Sequence, residues 1–407
     1  RVDPTSGGIG AIVAPFAQGP VDLPTVIGSE KDLLDVFGKP YGTDKHYEHW
    51  LVASSYLAYG GALSVVRADD TGLQNGFVGT AASIKIKSLE HYEELGYDEN
   101  PITNVVVAAR NPGSWGNGLR VGIIDAKADQ ILGINTTDAS VGYGITQAVP
   151  TNTIIAGSGT TSVLDGYFKG IITEVGSGEI GVKILNHISA GGTDTQIEYQ
   201  PGGKYKFSTG NIGFNTSGGV VGVATTVTST TDWFDQQSLT LTSSSTVKWN
   251  QLADRPGTSE YAAARGSRFD EVHVVVIDGD GGVTGNSGTI LEKHLSLSKA
   301  KDAEYSLGSP SYWRKYIANG SPNIFAGSAP TGIVTTGFKS GGFELESDVD
   351  WDQKAEGITF AASGNYNSGF STGTNYGGKV AITSTGGLSS GLDGLVTGYG
   401  LFENTEK

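Results

Sequence analysis

Two kinds of hydrophobic pattern alternate along this chain, and the first covers residues 8–67. There, β-branched apolar runs are joined by segments with helical spacing. Ser29, with Asp32 three residues on, fits a helix N-cap, and Gly38 fits the C-terminal end of that helix. This order of elements predicts an α/β unit. The predicted elements are a strand within Gly8–Phe16, a helix over Glu30–Phe37, a helix from Asp44 through Leu57, and a strand over Leu63–Arg67.

From about residue 76 to residue 254 the pattern changes to short alternating runs, separated by clusters of Gly, Asn, Ser and Thr. One acidic helix is predicted, over Leu89–Leu95. Short strands at this spacing predict a β-sandwich or a barrel-like domain. The predicted strands are Ser83–Lys87, Asn104–Ala108, Leu119–Ile124, Ile180–Leu185, Thr195–Tyr199 and Ser238–Thr242.

The α/β pattern returns near residue 255, where Glu271–Asp278 is a near-continuous apolar run typical of a strand covered on both faces. We therefore predict an α/β and β multidomain fold. A discontinuous α/β domain would comprise residues 1–75 plus 255–407, and a β-rich domain, sandwich or barrel-like, would be inserted at residues 76–254. The other predicted elements are helices over Ser259–Arg265, Thr289–Ala303 and Pro310–Ala318 and a strand over Asn323–Ala326.

The composition narrows the possible functions. The 407 residues include no Cys, which excludes a disulfide framework, a thiolate metal site and a cysteine nucleophile. The formal charge of -15 argues against a nucleic-acid groove, because such a groove needs clustered Lys and Arg. Charged residues make up 17% of the chain, against ~25% in typical soluble proteins. We therefore expect a surface poorer in charge than that of most free monomers.

Two short patterns resemble catalytic signatures but lack required partners. Gly373–Lys379 fits the phosphate-binding pattern GxxxxGK, yet Val380 occupies the position of the Ser or Thr that holds magnesium. Ser371 and Ser389 each fit GxSxG, but hydrolases of that fold carry their His after the serine. The last His of this chain, His294, precedes both serines. Neither pattern therefore predicts an active site.

Two other groups could suggest a metal site. Asp278–Gly282 follows a strand and looks calcium-like, but it lacks the ligand, the glycine and the glutamate that an EF-hand loop needs further along. His46 and His49 lie one helical turn apart, without the Glu-containing pattern of zinc hydrolases. We therefore predict that the protein is not an enzyme and has no catalytic, cofactor or metal site.

A turn between two predicted strands is the candidate structural motif. The run Asn111–Leu119 reads NPGSWGNGL. In it, a Pro-Gly turn precedes a Trp that can fold back on the sheet and an Asn that can cap backbone groups. Alone, such a run predicts only a structural turn. Its defining residues are Pro112, Gly113, Trp115, Gly116 and Asn117.

This turn occurs with four other stretches in a fixed order. Together they resemble the tail sheath proteins of contractile-tailed phages (myoviruses), whereas residues from about 130 to 250 show no family pattern. The four stretches are Val13–Pro20 (VAPFAQGP), Thr25–Gly38 (TVIGSEKDLLDVFG) followed by Ala53–Arg67 (ASSYLAYGGALSVVR), Pro256–Ala303, and Leu388–Phe402 (LSSGLDGLVTGYGLF).

The resemblance implies a structural subunit that polymerises as a helical sheath around the tail tube. Contraction of that sheath would drive the tube through the host envelope during genome delivery and host cell entry. The implied partners are neighbouring copies of the protein, the inner tail tube protein, and baseplate and tail terminator proteins, without nucleic acid and without direct membrane insertion. The protein would be assembled in the host cytoplasm and reside in the virion.

Two features of the resembled family are expected to be absent from this chain. Family members carry an N-terminal arm before the residues that match Val2-Asp3, and a C-terminal domain after those that match Leu401-Phe402. The chain contains no Met and opens at Arg1. We therefore expect it to represent the middle and outer domains of such a protein.

The alternative interpretation is a secreted or virion β-rich adhesin or glycan-binding protein. It would explain the Gly-, Ser- and Thr-rich middle of the chain and the absence of Cys. It would leave the ordered α/β stretches without an explanation.

Overall fold

The structure, a computed structural model, has α/β parts and a large β-rich part in which strands predominate, which confirms the predicted fold class. The residues that it describes are 8–40, 47–140, 144–149, 153–155, 162–191, 193–215, 221–264, 268–300, 303–328, 339–340, 343–344 and 388.

The N-terminal unit is a three-stranded sheet with two helices packed on one face. Its elements are β1 (Gly10–Ala14), β2 (Thr25–Ile27), α1 (Glu30–Phe37), α2 (Glu48–Ala58) and β3 (Leu63–Arg67). The strand order is β1-β3-β2, with β1 parallel and β2 antiparallel to β3. Leu33 and Phe37 of α1 and Trp50 of α2 lie in one buried cluster with side chains from all three strands. The helix α1 has its predicted bounds because Ser29 accepts a hydrogen bond from the Asp32 N–H and Gly38 ends the helix.

Two small antiparallel sheets form the second α/β part. Elements before the insertion are β4 (Phe77–Gly79), α3 (Leu89–Glu94), β5 (Val105–Ala109) and β6 (Leu119–Asp125). Three later strands complete these sheets, namely β19 (Glu271–Asp278), β20 (Thr289–Ser298) and β23 (Ile324–Ala326). One sheet has the order β23-β5-β4 and the other β20-β19-β6. A buried cluster between these sheets contains Val107, Val121, Val274, Trp313 and Leu388.

Residues 130–232, which we call the insertion, contain an eight-stranded antiparallel sheet. Its main path runs β15-β14-β8-β11-β12-β7-β16, and β13 pairs with β12. Its first and last strands, β7 and β16, pair with each other, and the Trp233 N–H donates to the Asp129 oxygen at 3.0 Å. The chain therefore enters and leaves this sheet at adjacent points. The strands between the two α/β parts are β7 (Gln130–Gly133), β8 (Gly144–Ala148), β9 (Thr153–Ile155), β10 (Ser162–Leu164), β11 (Tyr167–Val175), β12 (Glu179–Ile188), β13 (Asp194–Gln196), β14 (Gly210–Asn215), β15 (Val221–Val227) and β16 (Ser229–Asp232).

After the insertion the chain completes the two small sheets. The central element is β19, which pairs antiparallel with β6 on one side and β20 on the other. The remaining elements are α4 (Trp233–Gln236), β17 (Ser238–Thr240), β18 (Thr246–Lys248), α5 (Glu260–Ala264), β19 (Glu271–Asp278), β20 (Thr289–Ser298), β21 (Glu304–Ser306), β22 (Ser309–Pro310), α6 (Trp313–Gly320), β23 (Ile324–Ala326), β24 (Lys339–Ser340) and β25 (Phe343–Glu344).

Two predicted elements were wrong. The segment predicted as a helix over Thr289–Ala303 forms the strand β20, because pairing with β19 overrides its ambiguous apolar spacing. Ser83–Lys87 is not a strand, although Ile84 and Ile86 are buried as its alternation predicts. There the Asn75 side chain replaces a neighbouring strand, since its amide oxygen accepts from the Ile86 N–H at 2.7 Å.

The division into residues 1–75 plus 255–407 and an insertion at 76–254 stays a prediction. The observed strand pairing does not follow the predicted domain boundaries. β5 pairs with β23 and β6 pairs with β19, so strands before residue 126 share sheets with strands after residue 270. The separate eight-stranded sheet spans residues 130–232.

Candidate functional site

The predicted Pro112–Asn117 motif lies at a buried junction between the N-terminal unit and the rest of the described chain. The Arg67 side chain, 1% exposed, projects from β3 into this junction. Its guanidinium donates to the Gly19 oxygen at 3.0 Å and to the Pro112 oxygen at 2.7 Å. One cation thus joins two loops that are far apart in sequence, and we call this arrangement the Arg67 junction.

Small residues allow the motif to pack closely against the neighbouring strand. Residues Ser114–Gly118 form a 3-10 helix, and Gly113 before it has a φ of 137°, a conformation that favours glycine. A Cβ on Gly116 would lie 2.6 Å from the Ala109 Cβ, so no larger residue fits without movement. The Trp115 indole N–H donates to the Asn111 oxygen at 3.2 Å while its ring packs against the core. The motif is therefore a packing and hydrogen-bonding element.

A second buried polar cluster lies where the insertion leaves the core. Asp129 and Asp232 border the insertion at its two ends. The Asp129 carboxylate accepts from Lys183 Nζ at 2.9 Å, and Arg255 pairs with Asp232 at 2.5 Å. Burial lowers the pKa of the Lys183 ammonium, and the Asp129 carboxylate offsets only part of that effect. Burial together with the Asp232 carboxylate raises the pKa of the Tyr199 phenol. These ion pairs fix the base of the insertion.

Sequence reasoning did not identify this cluster. Its members are separated by up to more than a hundred residues, and no spacing motif relates them. The Lys183 ammonium also lies 4.0 Å from the centre of the Phe269 ring, and the Arg268 guanidinium donates to the Leu185 oxygen at 3.1 Å. The return segment therefore binds the insertion through buried cations.

The calcium-like Asp278–Gly282 run forms a turn closed by its own backbone. The Asp278 carboxylate accepts hydrogen bonds from the Gly281 N–H at 3.0 Å and the Thr284 N–H at 2.6 Å. Burial favours a higher pKa for Asp278, but the hydrogen bonds from Thr284, Val283 and Gly281 outweigh it and lower that pKa. Asp280 accepts from the Gly282 N–H at 2.8 Å. The carboxylates thus stabilise the turn.

His273 makes two buried hydrogen bonds on β19. Its Nδ1 accepts from the Ser296 N–H at 2.9 Å, so the proton is on Nε2, which lies 2.8 Å from the Asp254 oxygen. Burial lowers the pKa of this imidazole. A neutral histidine therefore connects β19 to β20 and to the return segment.

Several residues singled out in the sequence lie outside the described residues. They are Asp44, His46, Ser371, Lys379, Val380 and Ser389. His49 lies at the start of α2, in the N-terminal unit. Within the described ranges, no group of three or more His, Asp or Glu side chains is arranged to hold a metal ion. In that same part of the chain, no helix combines the length and apolar character needed to cross a membrane.

Comparison with known proteins does not assign the chain to a family. No protein-family model matches the chain, and no curated protein matches it. Among solved structures, it is similar to the crystal structure of a sheath tail protein from Listeria innocua, with 17% sequence identity and a TM-score of 0.17. The match covers 48% of this chain and 33% of that protein, so the chain spans only about a third of its length. At this score the likeness carries no argument about fold or function.

Proposed function

We propose that the protein is a non-enzymatic structural subunit of a contractile phage tail sheath. In this proposal it polymerises as a helical sheath around the tail tube and contracts to drive that tube through the host envelope. Its partners are further copies of itself, the inner tail tube protein, and baseplate and tail terminator proteins. It is assembled in the host cytoplasm and resides in the virion, without binding nucleic acid or inserting into a membrane.

The observation that carries this proposal is that the sequence stretches resembling sheath proteins contact one another in the fold. Arg67, at the end of the second stretch, donates to the Gly19 oxygen of the first and to the Pro112 oxygen of the turn. The Gly279 N–H donates to the Gly118 oxygen at 2.8 Å, and the Leu388 N–H to the Leu119 oxygen at 2.9 Å. Stretches dispersed over the sequence therefore form one connected core.

The region without family resemblance behaves differently. Residues 130–232 form the separate eight-stranded sheet, with its own buried cluster that includes Leu132, Ile145, Phe168 and Val182. A core that retains a common architecture, with an outer domain free to vary, is the arrangement that the sequence resemblance implies. The position of the insertion thus supports the proposal.

Negative-stain electron microscopy of the full-length protein, expressed alone, tests the proposed function. Hollow helical tubes of uniform diameter are the expected result. A protein that stays dispersed under all assembly conditions, while binding glycans on an array, would contradict the sheath proposal and favour an adhesin.

A further inference from the structure

The N-terminal unit has an uncovered apolar sheet face. Side chains alternate along its strands, so Ala14 and Ile27 are buried under the helices while Val13 and Val26 point the other way. Val13 is 55% exposed and Val26 66% exposed. Together with Ile9, just before β1, these residues define what we call the sheet face.

The outer surface of α2 is a second apolar area in the same unit. Its buried residues Trp50 and Leu57 pack on the sheet, whereas Leu51, Val52 and Tyr59 are 47%, 62% and 94% exposed. Large apolar side chains that are exposed together on one surface commonly mark an interaction site. These three exposed residues define the helix face.

Both faces lie within uncharged runs of the chain. Residues 8–21, 23–29 and 50–66 contain no Lys, Arg, Asp or Glu, although the whole chain carries a formal charge of -15. Copies with that charge repel one another, so close contact is least unfavourable where neither surface contributes a charge. The two faces therefore suit each other better than they suit a charged partner.

The position of the two faces decides what kind of contact they can make. The helices cover one side of the sheet, so the helix face and the sheet face lie on opposite sides of a single layered unit. A two-fold dimer would bury one face and leave the other uncovered. Head-to-tail contacts, in which one face binds the other, bury both and generate rings or open helical filaments.

We propose that the sheet face of one copy binds the helix face of the next copy, head to tail. This inference rests on the proposed function and deepens it, because it names a contact between sheath subunits. The partner is thus a second copy of this chain, and the occupied surfaces are the two uncharged apolar faces of residues 8–67.

Sedimentation of the 407-residue chain tests the proposed contact, with concentrations up to about 0.5 mM so that a Kd near 1 mM is detectable. Val26→Glu places a charge on the sheet face and Val52→Glu on the helix face, and each should weaken association by about tenfold or more, since a contact would bury an unpaired charge. Leu307→Glu is the matched control, because Leu307 is fully exposed in the β21–β22 turn, outside both faces.

Mixing the two variants gives the sharpest result. Val26→Glu keeps an intact helix face and Val52→Glu keeps an intact sheet face. We expect each variant alone to remain monomeric, and an equimolar mixture to form dimers that grow no further. The unchanged chain and Leu307→Glu should instead increase in mass continuously with concentration.

Three outcomes would overturn the inference: an unchanged chain that stays monomeric throughout, a single variant that assembles like the unchanged chain, or a mixture that stays monomeric. Circular dichroism of each variant establishes that folding is retained. If full-length protein forms tubes and any of these outcomes is also observed, the proposed sheath function is retained and the proposed contact is rejected. If the protein forms head-to-tail chains but no tubes, the proposed contact is supported and the proposed sheath function is contradicted.

Discussion

Replacement of the buried Arg67 guanidinium is the sharpest test of how the N-terminal unit is held. In Arg67→Met the side chain keeps an unbranched apolar stem but loses the guanidinium and its hydrogen-bond donors. The Gly19 and Pro112 oxygens, at 3.0 Å and 2.7 Å from the guanidinium, then lose the hydrogen bonds that it supplies. We therefore expect the unit of residues 8–67 to open more readily than the rest of the core.

The expected loss of stability follows from those two hydrogen bonds. A hydrogen bond to a charged group contributes about 1.5–3 kcal/mol, so the pair contributes about 3–6 kcal/mol. Packing of the methionine side chain offsets part of this lost stabilisation. The free energy of local opening should therefore decrease by about 3 kcal/mol. Since about 1.4 kcal/mol is a factor of ten, amide exchange in β1 and β3 should accelerate about a hundredfold.

Hydrogen–deuterium exchange followed by mass spectrometry measures this effect segment by segment. Lys31→Met is the control, because Lys31 pairs with Asp35 on the exposed surface of α1 in the same unit, at a position where exchange should not change. Exchange in β1 and β3 of Arg67→Met that stays within about threefold of the unchanged protein would refute the reasoning, since the junction would then contribute little.

Three further predictions concern other parts of the fold. Replacing residues 130–232 by a short Gly-Ser linker should leave a folded core, because Asp129 and Trp233 are already hydrogen bonded; loss of cooperative unfolding would contradict this. Gly116→Val should lower the unfolding free energy by about 1–3 kcal/mol, since its Cβ would meet the Ala109 Cβ at 2.6 Å; an unchanged denaturation midpoint would count against it. His273, with its pKa below the usual 6.5, stays neutral when folded and binds fewer protons than the unfolded chain, so stability should be full above pH 6.5 and decrease as the pH falls below it. His273→Gln should flatten that dependence, and an equally steep pH profile would assign it to other groups.

The N-terminal unit could be predicted closely from the sequence because local signals determine it. The cap at Ser29 and the glycine at position 38 fix both ends of α1, and the strand Leu63–Arg67 has its predicted bounds. Such signals act over a few residues, so a single sequence contains them completely.

Elements determined by distant partners were predicted less well. The segment that forms β20 has apolar residues at spacings that fit either a helix or a strand, and only its pairing with β19 decides between them. Likewise, β6 resembles the inserted strands in composition, but its partner β19 begins at Glu271, far along the chain. The ion pair of Asp129 with Lys183 has no sequence signal, because its members meet only after the insertion has folded.

The separation of core and insertion has a physical consequence for the proposed sheath subunit. The insertion is joined to the core through one pair of adjacent chain crossings, at Asp129 and Trp233, and through one buried and one partly buried ion pair at that base. We therefore expect changes elsewhere in the eight-stranded sheet to leave the Arg67 junction and the two apolar faces of the N-terminal unit unaltered. In the proposed head-to-tail contact, the two apolar faces would share no ion pair that has to break when copies slide past one another. The proposed sheath subunit would then present variable outer surfaces while its contacts with other copies stay constant, each weak alone and strong when repeated.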